Sequence, residues 1–422
     1  MKEQLLPPDS MWIRHTALDR LFNEALSRRV FSGASLLIGA PSAILYEKTW
    51  GYTQWGGSLI DFQTQFDLAS LTKPLCTTVL SMTAVQEKKA ELDDTLTRFL
   101  PSAGLSPEKR RITLRHLLSH SSGFPAYIPF FKDLITLPSR ERPAALRACI
   151  LSTPLQSEPG KTPCYSDLGF ILLGMVLEEI FDAPLLELYS RWIQAMVRTS
   201  AHHPLPGFAP SGFPHFRPLR VSGDPMSRPK TTCHSGTWKD GREAASFYPS
   251  SQGEPTKGQD FKAFAATEYC PWRRRLLRGE VHDENAYTLG GITGHAGLFG
   301  TARQVFHQLS LLWRIYLGRI SDGPCSRETV QTFWTRSDPP SHGTWALGFD
   351  TPSAAQSSAG DLFSPGSVGH LGFTGTSFWL DLEKEIVVIL LTNRVYPSRQ
   401  NDKLRVFRPL LHNLIMESFN GK

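Results

Sequence analysis

The sequence predicts a mixed α/β protein of the α+β kind, with an antiparallel sheet flanked by helices and a second, mostly helical lobe. Two observations carry this. Strand-like apolar runs crowd both ends of the chain, at 33–39 and 43–48 and again at 345–349, 373–380 and 386–391. Helical spacing dominates the middle, as in the apolar stretch from Leu168 to Ile180. Strands at both ends with helices between them imply that the termini share one sheet and the middle forms the second lobe. Residues 1–30 are assigned to an N-terminal helix of the α/β lobe, and 31–420 to a single unit. Within that unit the α/β lobe takes about 31–66 and 300–420, and the helical lobe about 67–299.

Each element has a local reason. Trp12, Ile13, Leu18, Leu21, Phe22 and Leu26 recur at helical spacing over 11–30. Ala40-Pro41-Ser42 makes a short hairpin connection between the first two strands. Thr113 to His120 reads as a helix stopped by Ser121-Ser122-Gly123, and residues 140–151 as another. A glycine-rich stretch, 289–298, leads into a helix over Thr301–Leu317, and Leu404–Phe419 closes the chain as a helix. From about 200 to 268 Pro, Gly, Ser, His and Lys dominate, and 228–262 reads as a poorly ordered surface insertion.

Composition excludes several classes. The 422 residues are 41% hydrophobic and 20% charged, with a net charge of +6, enough apolar material for a large core. The densest basic cluster, Arg273-Arg274-Arg275 with Arg278, has no interleaved aromatic stripe, so it reads as a solvated face and no nucleic-acid partner is expected. The six cysteines, at 76, 149, 164, 233, 270 and 325, lie far apart without a C-x-x-C, so neither a zinc ribbon nor a disulfide framework is expected. The first nine residues hold no signal-peptide apolar region, and no window approaches the length of a membrane span. The expected location is therefore the cytoplasm, with no membrane partner. Nothing in the sequence specifies an oligomeric state.

The chemistry centres on Asp67-Leu68-Ala69-Ser70-Leu71-Thr72-Lys73-Pro74. Residues three apart on a helix share a face, about 5–6 Å between side chains. A lysine that close to a serine can take the hydroxyl proton if burial depresses its pKa, making the serine a nucleophile. Proline is tolerated in the first turn of a helix, so Pro74 places Ser70 at or just before a helix N-terminus, where free N–H groups favour an anion. Set against this, a serine at a helix start is most often a simple N-cap. Elsewhere, Gly160-Lys161-Thr162 lacks the earlier glycine of a phosphate loop, since Leu155 stands there. There is no H-E-x-x-H, G-x-S-x-G or G-x-G-x-x-G.

Three features stand in order: Ser70-Leu71-Thr72-Lys73, Tyr165-Ser166-Asp167 and His370-Leu371-Gly372. With the strings Phe66–Lys73, Leu114–Gly123, Tyr165–Phe170, Gly369–Ser377 and Leu391–Arg394, the chain resembles the penicillin-recognising serine hydrolases. It is most similar to the branch of class C β-lactamases, D,D-carboxypeptidase-like proteins and β-lactamase-fold carboxylesterases, over about residues 30–400. The resemblance implies a β-lactamase/transpeptidase-like fold with the active site between the lobes, and a Ser70 acyl-enzyme with neither metal nor organic cofactor. It makes Tyr165 the proton relay to the leaving group, its pKa lowered by positive neighbours. It draws the oxyanion hole from the backbone N–H groups of Ser70 and Phe373, with Gly372 and Gly375 letting substrate approach the strand.

Departures from the family pattern bear on substrate. Asp167 stands where asparagine is common; as a carboxylate it orients Lys73 and holds it protonated, which argues against Lys73 as sole base. His370 replaces a lysine and binds an anionic group only if protonated. Leu371 replaces a threonine whose hydroxyl helps bind a substrate carboxylate, so an ester or amide with a neutral acyl group fits better than a penicillin. A second segment, Gly279–Ala286, also resembles part of one subgroup. His282, Asp283 and His295 lack zinc-enzyme spacing, so this segment is expected to be a loop rimming the pocket. The expected partners are small esters, amides or muropeptides. Three functions remain in play: an esterase or amidase, a D,D-carboxypeptidase or β-lactamase-type hydrolase of peptidoglycan-derived peptides, and a non-catalytic binding or sensor protein.

Overall fold

Five strands from the two ends of the chain form the central sheet, in the spatial order Ala43–Gly51, Gly33–Ala40, Ile386–Thr392, Ser377–Asp381 and Val368–Leu371, every pairing antiparallel. This computed structural model describes residues 15–101, 105–205, 212–218, 263–336 and 343–419. The expected insertion at 228–262, and residues 1–14 of the expected first helix, lie outside the described residues.

In chain order, helix α1 (His15–Ser27) precedes the hairpin β1 (Gly33–Ala40) and β2 (Ala43–Gly51), then β3 (Phe66–Asp67). After the nucleophile segment come α2 (Val79–Gln86), α3 (Leu114–Leu118), α4 (Phe131–Leu134), α5 (Arg142–Ser152), α6 (Asp167–Phe181) and α7 (Leu185–His202). Then follow β4 (His215–Phe216), β5 (Ala266–Cys270), β6 (Arg275–Arg278), α8 (Glu284–Thr288) and β7 (Leu298–Gly300). Helices α9 (Ala302–Tyr316) and α10 (Arg327–Trp334) lead to β8 (Val368–Leu371), β9 (Ser377–Asp381), β10 (Ile386–Thr392) and α11 (Leu404–Met416).

The period-two alternation of the strands divides the core between two layers. On β1, Leu36 and Ile38 pack with α1 and α11 (Leu18, Phe22, Phe407, Leu411), while Leu37 faces the opposite layer. On β10, Val388 and Leu390 join the first layer and Val387, Ile389 and Leu391 the second. Both strands are buried on both faces, which is why they read as unbroken apolar runs. The second layer runs from α9 (Phe306, Leu309, Trp313) into the helical lobe around α2 and α6.

Three expectations need correction. Residues 345–349 form no strand: Trp345 and Asp350 meet in an isolated bridge, with Gly348 at φ +78° between them. The expected strand over 373–380 starts at Ser377, because residues 372–376 turn, with Gly375 donating its N–H to the Gly372 carbonyl at 3.0 Å. Helices α7 and α10 lie outside the sequence expectations. The arginine cluster is a solvated face only in part: Arg274 and Arg275 are exposed, Arg275 pairing with Glu280, but the Arg273 side chain is buried and donates to the carbonyls of Val281 (2.7 Å) and His282 (2.9 Å), and Arg278 donates to Gln54. Arg273 and Arg275 thereby hold the 280–283 loop.

Candidate active site

Ser70 lies where the sheet meets the helical lobe. The segment expected to be one α-helix is instead a 3₁₀ turn at Ala69–Leu71, a π-helical stretch at Lys73–Thr78 and only then α2. Its cause is visible in Ala69, held at φ +47°, a conformation disfavoured for a residue with a Cβ. Asp67 stabilises it by accepting from the Ala69 N–H (2.8 Å) and from the His282 N–H (2.6 Å). Thr374 and Thr376 donate to the carbonyls of Asp67 (2.7 Å) and Leu68 (3.0 Å), and Thr72 donates to that of Ala69 (2.7 Å). A turn held from so many directions can carry backbone strain, and π segments recur at functional sites.

Lys73 is fully buried, and its Nζ contacts three groups: Ser70 Oγ at 3.1 Å, Tyr165 OH at 2.6 Å and Asp167 Oδ1 at 2.7 Å. Ser70 itself is half-buried. Burial pulls the lysine down, but the Asp167 carboxylate and the Tyr165 phenol outweigh it and hold the ammonium above its ordinary value. The depressed amine of the simplest nucleophile argument is therefore not the resting state. Tyr165 is likewise pushed up rather than down: its burial and Asp167 outweigh Lys73. The resting site holds an ammonium, a carboxylate and a neutral phenol.

Tyr165 is placed by the segment before α6. Ser166 caps that helix, accepting from Gly169 N–H at 3.1 Å and donating to the Pro125 carbonyl at 2.8 Å. The Ser166 N–H donates to His120 Nδ1 (3.1 Å), whose ring lies 4.5 Å from that of Tyr165 and 4.5 Å from that of Trp345. The string Leu114–Gly123 thus supplies a cradle for Tyr165, a role not read from the sequence. His120 sits at φ +55° at the end of the α3 segment.

His370 is buried, with Nδ1 2.9 Å from the Leu371 carbonyl, so that nitrogen carries the proton and Nε2 presents a lone pair. Burial, then Lys73, pull it down to about 3. His370 is thus a neutral imidazole, and the protonation on which its binding of an anionic group depended is disfavoured. Leu371 brings no donor. Phe373, in the turn after β8, is 48% exposed, its ring 4.7 Å from the Arg394 guanidinium carbon and 5.4 Å from the His282 ring. Within the described residues no hydrogen bond takes up the backbone N–H of Ser70 or Phe373. A Cβ on Gly372 would meet Thr376 Oγ1 at 2.0 Å and the Leu68 carbonyl at 2.7 Å. That glycine is required by the nucleophile turn pressing on it, which sequence reasoning had ascribed to substrate.

The 279–288 segment reaches the same cleft. Asp283 caps α8 through the Ala286 N–H (2.7 Å) and lies 3.0 Å from His295 Nε2. Asp167, Asp283 and His295 bring ligand atoms within 4.8 Å of one another, as do Glu268, Cys270 and Glu284. In each group a side-chain cation already meets the carboxylates: Lys73 on Asp167, and Arg399 bridging Glu268 and Glu284. Two open surface grooves, of about 460 and 560 Å³, share Arg115 and lie apart from Ser70. No helix among the described residues is long and apolar enough to cross a membrane.

The family model for Beta-lactamase matches residues 18–410. The chain belongs to the beta-lactamase family. Among curated relatives, "Putative D-alanyl-D-alanine carboxypeptidase" of Salmonella heidelberg (strain SL476) is 27% identical over 397 residues, covering 89% of this chain and 81% of the relative. The protein of the same name from Salmonella agona (strain SL483) is 28% identical over the same span. Three solved structures share the fold. "EstCE1, a hydrolase with promiscuous acyltransferase activity" has a TM-score of 0.63 at 20% identity, covering 95% of this chain and 99% of its own. The octameric penicillin-binding protein homologue from Pyrococcus abyssi scores 0.58 at 17% identity, covering 94% and 77%. Simvastatin synthase (LovD) from Aspergillus terreus, as the LovD6 mutant, scores 0.61 at 16% identity, covering 100% of both chains. The β-lactamase/transpeptidase-like fold expected from the sequence is thus the fold of this family member, a serine hydrolase by membership.

The buried neutral histidines set an acid limit on stability. His370 at about 3 and His412 at about 4 are both depressed first by burial, from an ordinary 6.5. Below 6.5 the unfolded chain binds protons that the folded chain refuses, so stability falls as pH falls toward the depressed values. Going from pH 7 to 5 costs about 2 kcal/mol for each. Asp350, raised by burial to about 6, opposes this by about 1 kcal/mol over the same interval. Melting temperature is expected to drop from pH 7 to 5, and a flat thermal profile there would contradict the neutral assignment.

Proposed function

We propose that this beta-lactamase-family hydrolase is an esterase or amidase acting on small, uncharged acyl compounds through an acyl-enzyme at Ser70. The supporting observation is Lys73 Nζ in contact with Ser70 Oγ, Tyr165 OH and Asp167 Oδ1 at once. As Ser70 Oγ attacks the acyl carbon, Lys73 accepts the hydroxyl proton while passing one of its own to Asp167, so the Lys73–Asp167 pair gains one positive charge that balances the negative charge formed on the substrate oxygen. The carbonyl oxygen becomes an oxyanion received by the N–H groups of Ser70 and Phe373. On collapse, Tyr165 protonates the leaving group and is reprotonated from Lys73, which takes back the proton held by Asp167 and restores the ammonium–carboxylate pair. Water then attacks the ester with Tyr165 as the relay in reverse.

Substrate charge follows from the other residues. A leaving group with a carboxylate meets a neutral His370, a leucine side chain at 371 and an ionised Asp283, whose pKa is driven down by His295 despite its burial. None attracts an anion. The second reading, a D,D-carboxypeptidase on peptidoglycan-derived peptides, is favoured by the name of the Salmonella relatives.

Turnover of p-nitrophenyl butyrate beside release of D-alanine from a D-Ala-D-Ala peptide separates the two. Ester turnover with no D-alanine release is the expected result, and a dominant D-alanine activity overturns the first reading. Neither turnover, with a stable penicillin label on the chain, would leave a binding or sensor protein. Ser70→Ala is expected to abolish acylation, read by mass spectrometry after a reactive ester, with an unchanged melting temperature. Unaltered ester turnover in that variant would falsify the assignment. Leu371→Thr restores a hydroxyl donor worth about 1 kcal/mol, so penicillin acylation should rise about fivefold; an unmoved labelling rate would remove the carboxylate argument.

A further inference from the structure

Arg408, on α11, is 8% exposed, and its guanidinium lies behind the turn that carries Phe373. Its Nη2 donates to the Thr376 carbonyl at 2.8 Å and stands 3.5 Å from the Gly372 carbonyl. The Gly372 N–H donates to the same Thr376 oxygen at 2.7 Å. From the other side, Arg394 Nε donates to the Phe373 carbonyl at 2.8 Å. Three carbonyls of the 372–376 turn, those of Gly372, Phe373 and Thr376, therefore face guanidinium groups.

Arg408 has no carboxylate partner among the described residues, and its buried Nε has no partner either. Its charged or titratable neighbours are Arg394, which opposes its charge, and the neutral His412. Burial, then Arg394, pull the guanidinium down to about 9. A lone buried cation is costly, and an apolar residue of similar volume would often be as stable or more so. What distinguishes the position is the peptide in front of it. The Gly372 carbonyl and the Phe373 N–H belong to one planar unit, pointing in opposite directions so that their bond dipoles add. Positive charge at the oxygen end polarises that unit and makes the N–H a stronger donor, and the effect is large where water is excluded.

We propose that Arg408 is a positioning residue of the oxyanion hole: it pins the 372–376 turn and strengthens the Phe373 N–H as a donor to the developing oxyanion, while Arg394 holds the same turn through the Phe373 carbonyl. It touches no substrate and acts through the backbone. The inference rests on the reading of Phe373 as an oxyanion donor.

The test uses Arg408→Gln, which keeps a donor without the charge, and Arg408→Lys, which keeps the charge. Each full-length variant is assayed for kcat and KM on p-nitrophenyl butyrate and for affinity toward phenylboronic acid, whose adduct mimics the tetrahedral intermediate. The carbonyl stretch of an isotope-labelled acyl-enzyme is read by infrared spectroscopy. In the Gln variant kcat and boronate affinity are expected to fall about tenfold with KM within about twofold, and the stretch to move to higher frequency. The Lys variant should recover most of each. A folded Gln variant with an unshifted stretch overturns the proposal, whatever happens to kcat, because packing damage alone would not change the field at the carbonyl. Should Arg408→Gln fail to fold, Arg408→Met, which fills the apolar volume without the charge, is read the same way, and an unshifted stretch there overturns it. Ser70→Ala run beside these separates the failures. Residual turnover in that variant sinks the parent reading, whereas an inactive Ser70→Ala with unshifted arginine variants sinks only this one.

Discussion

Lys73→Met is expected to lower kcat/KM for ester hydrolysis by about 10³–10⁴-fold, because the side chain that connects Ser70, Tyr165 and Asp167 loses every proton it moves. Methionine fills nearly the same volume, so the loss is chemical more than steric. Stability should fall as well, since Asp167 keeps its charge without its partner. Breaking a fully buried pair costs about 3–5 kcal/mol. Here the Asp167 side chain is 19% exposed, so water compensates in part and the lower end of that range applies. The double variant Lys73→Met/Asp167→Asn removes the orphaned charge; it should regain stability in a thermal melt while remaining inactive. If Lys73→Met keeps more than about a tenth of wild-type turnover, the relay runs through other groups.

Gly372→Ala should be nearly as damaging for a mechanical reason. Its Cβ would sit 2.0 Å from Thr376 Oγ1 and 2.7 Å from the Leu68 carbonyl, and the second of these is backbone of the nucleophile segment. Thr376 cannot simply rotate away without giving up its 3.0 Å bond to that same carbonyl. The turn and the nucleophile must separate, at a cost of about 1–3 kcal/mol for overpacking. A displacement near 1 Å at reacting atoms lowers rate by about 10²-fold. Calorimetry and ester kinetics on the purified variant check both numbers. Wild-type kcat in a folded Gly372→Ala protein would mean the 372–376 turn does not set the reaction geometry.

The resemblance was legible because S-x-x-K, Tyr165-Ser166-Asp167 and His370-Leu371-Gly372 keep their order and their local partners close in the chain. Asp167 holding Lys73 protonated was also readable, since an acid and an amine in matching slots have one plausible relation. Two kinds of feature were not. Helix α7 carries helical spacing at Leu185, Leu188, Trp192 and Met196, so its signal was present in the residues; it follows directly on α6, with only Asp182–Pro184 between them. The arginine cluster misled because composition cannot say which carbonyls a guanidinium will find: Arg273 is spent on Val281 and His282, not on solvent.

By itself the sequence determined the layered α+β architecture, because period-two and period-3.6 patterns depend only on neighbours along the chain. It also determined which side chains could do acyl-transfer chemistry. Only the tertiary structure decided their states. The neutrality of His370, the raised lysine, the strained Ala69 and the buried Arg408 behind Phe373 all arise from groups brought together across the fold. Burial and charge act through space over a few ångströms, a distance that the chain's own order does not encode.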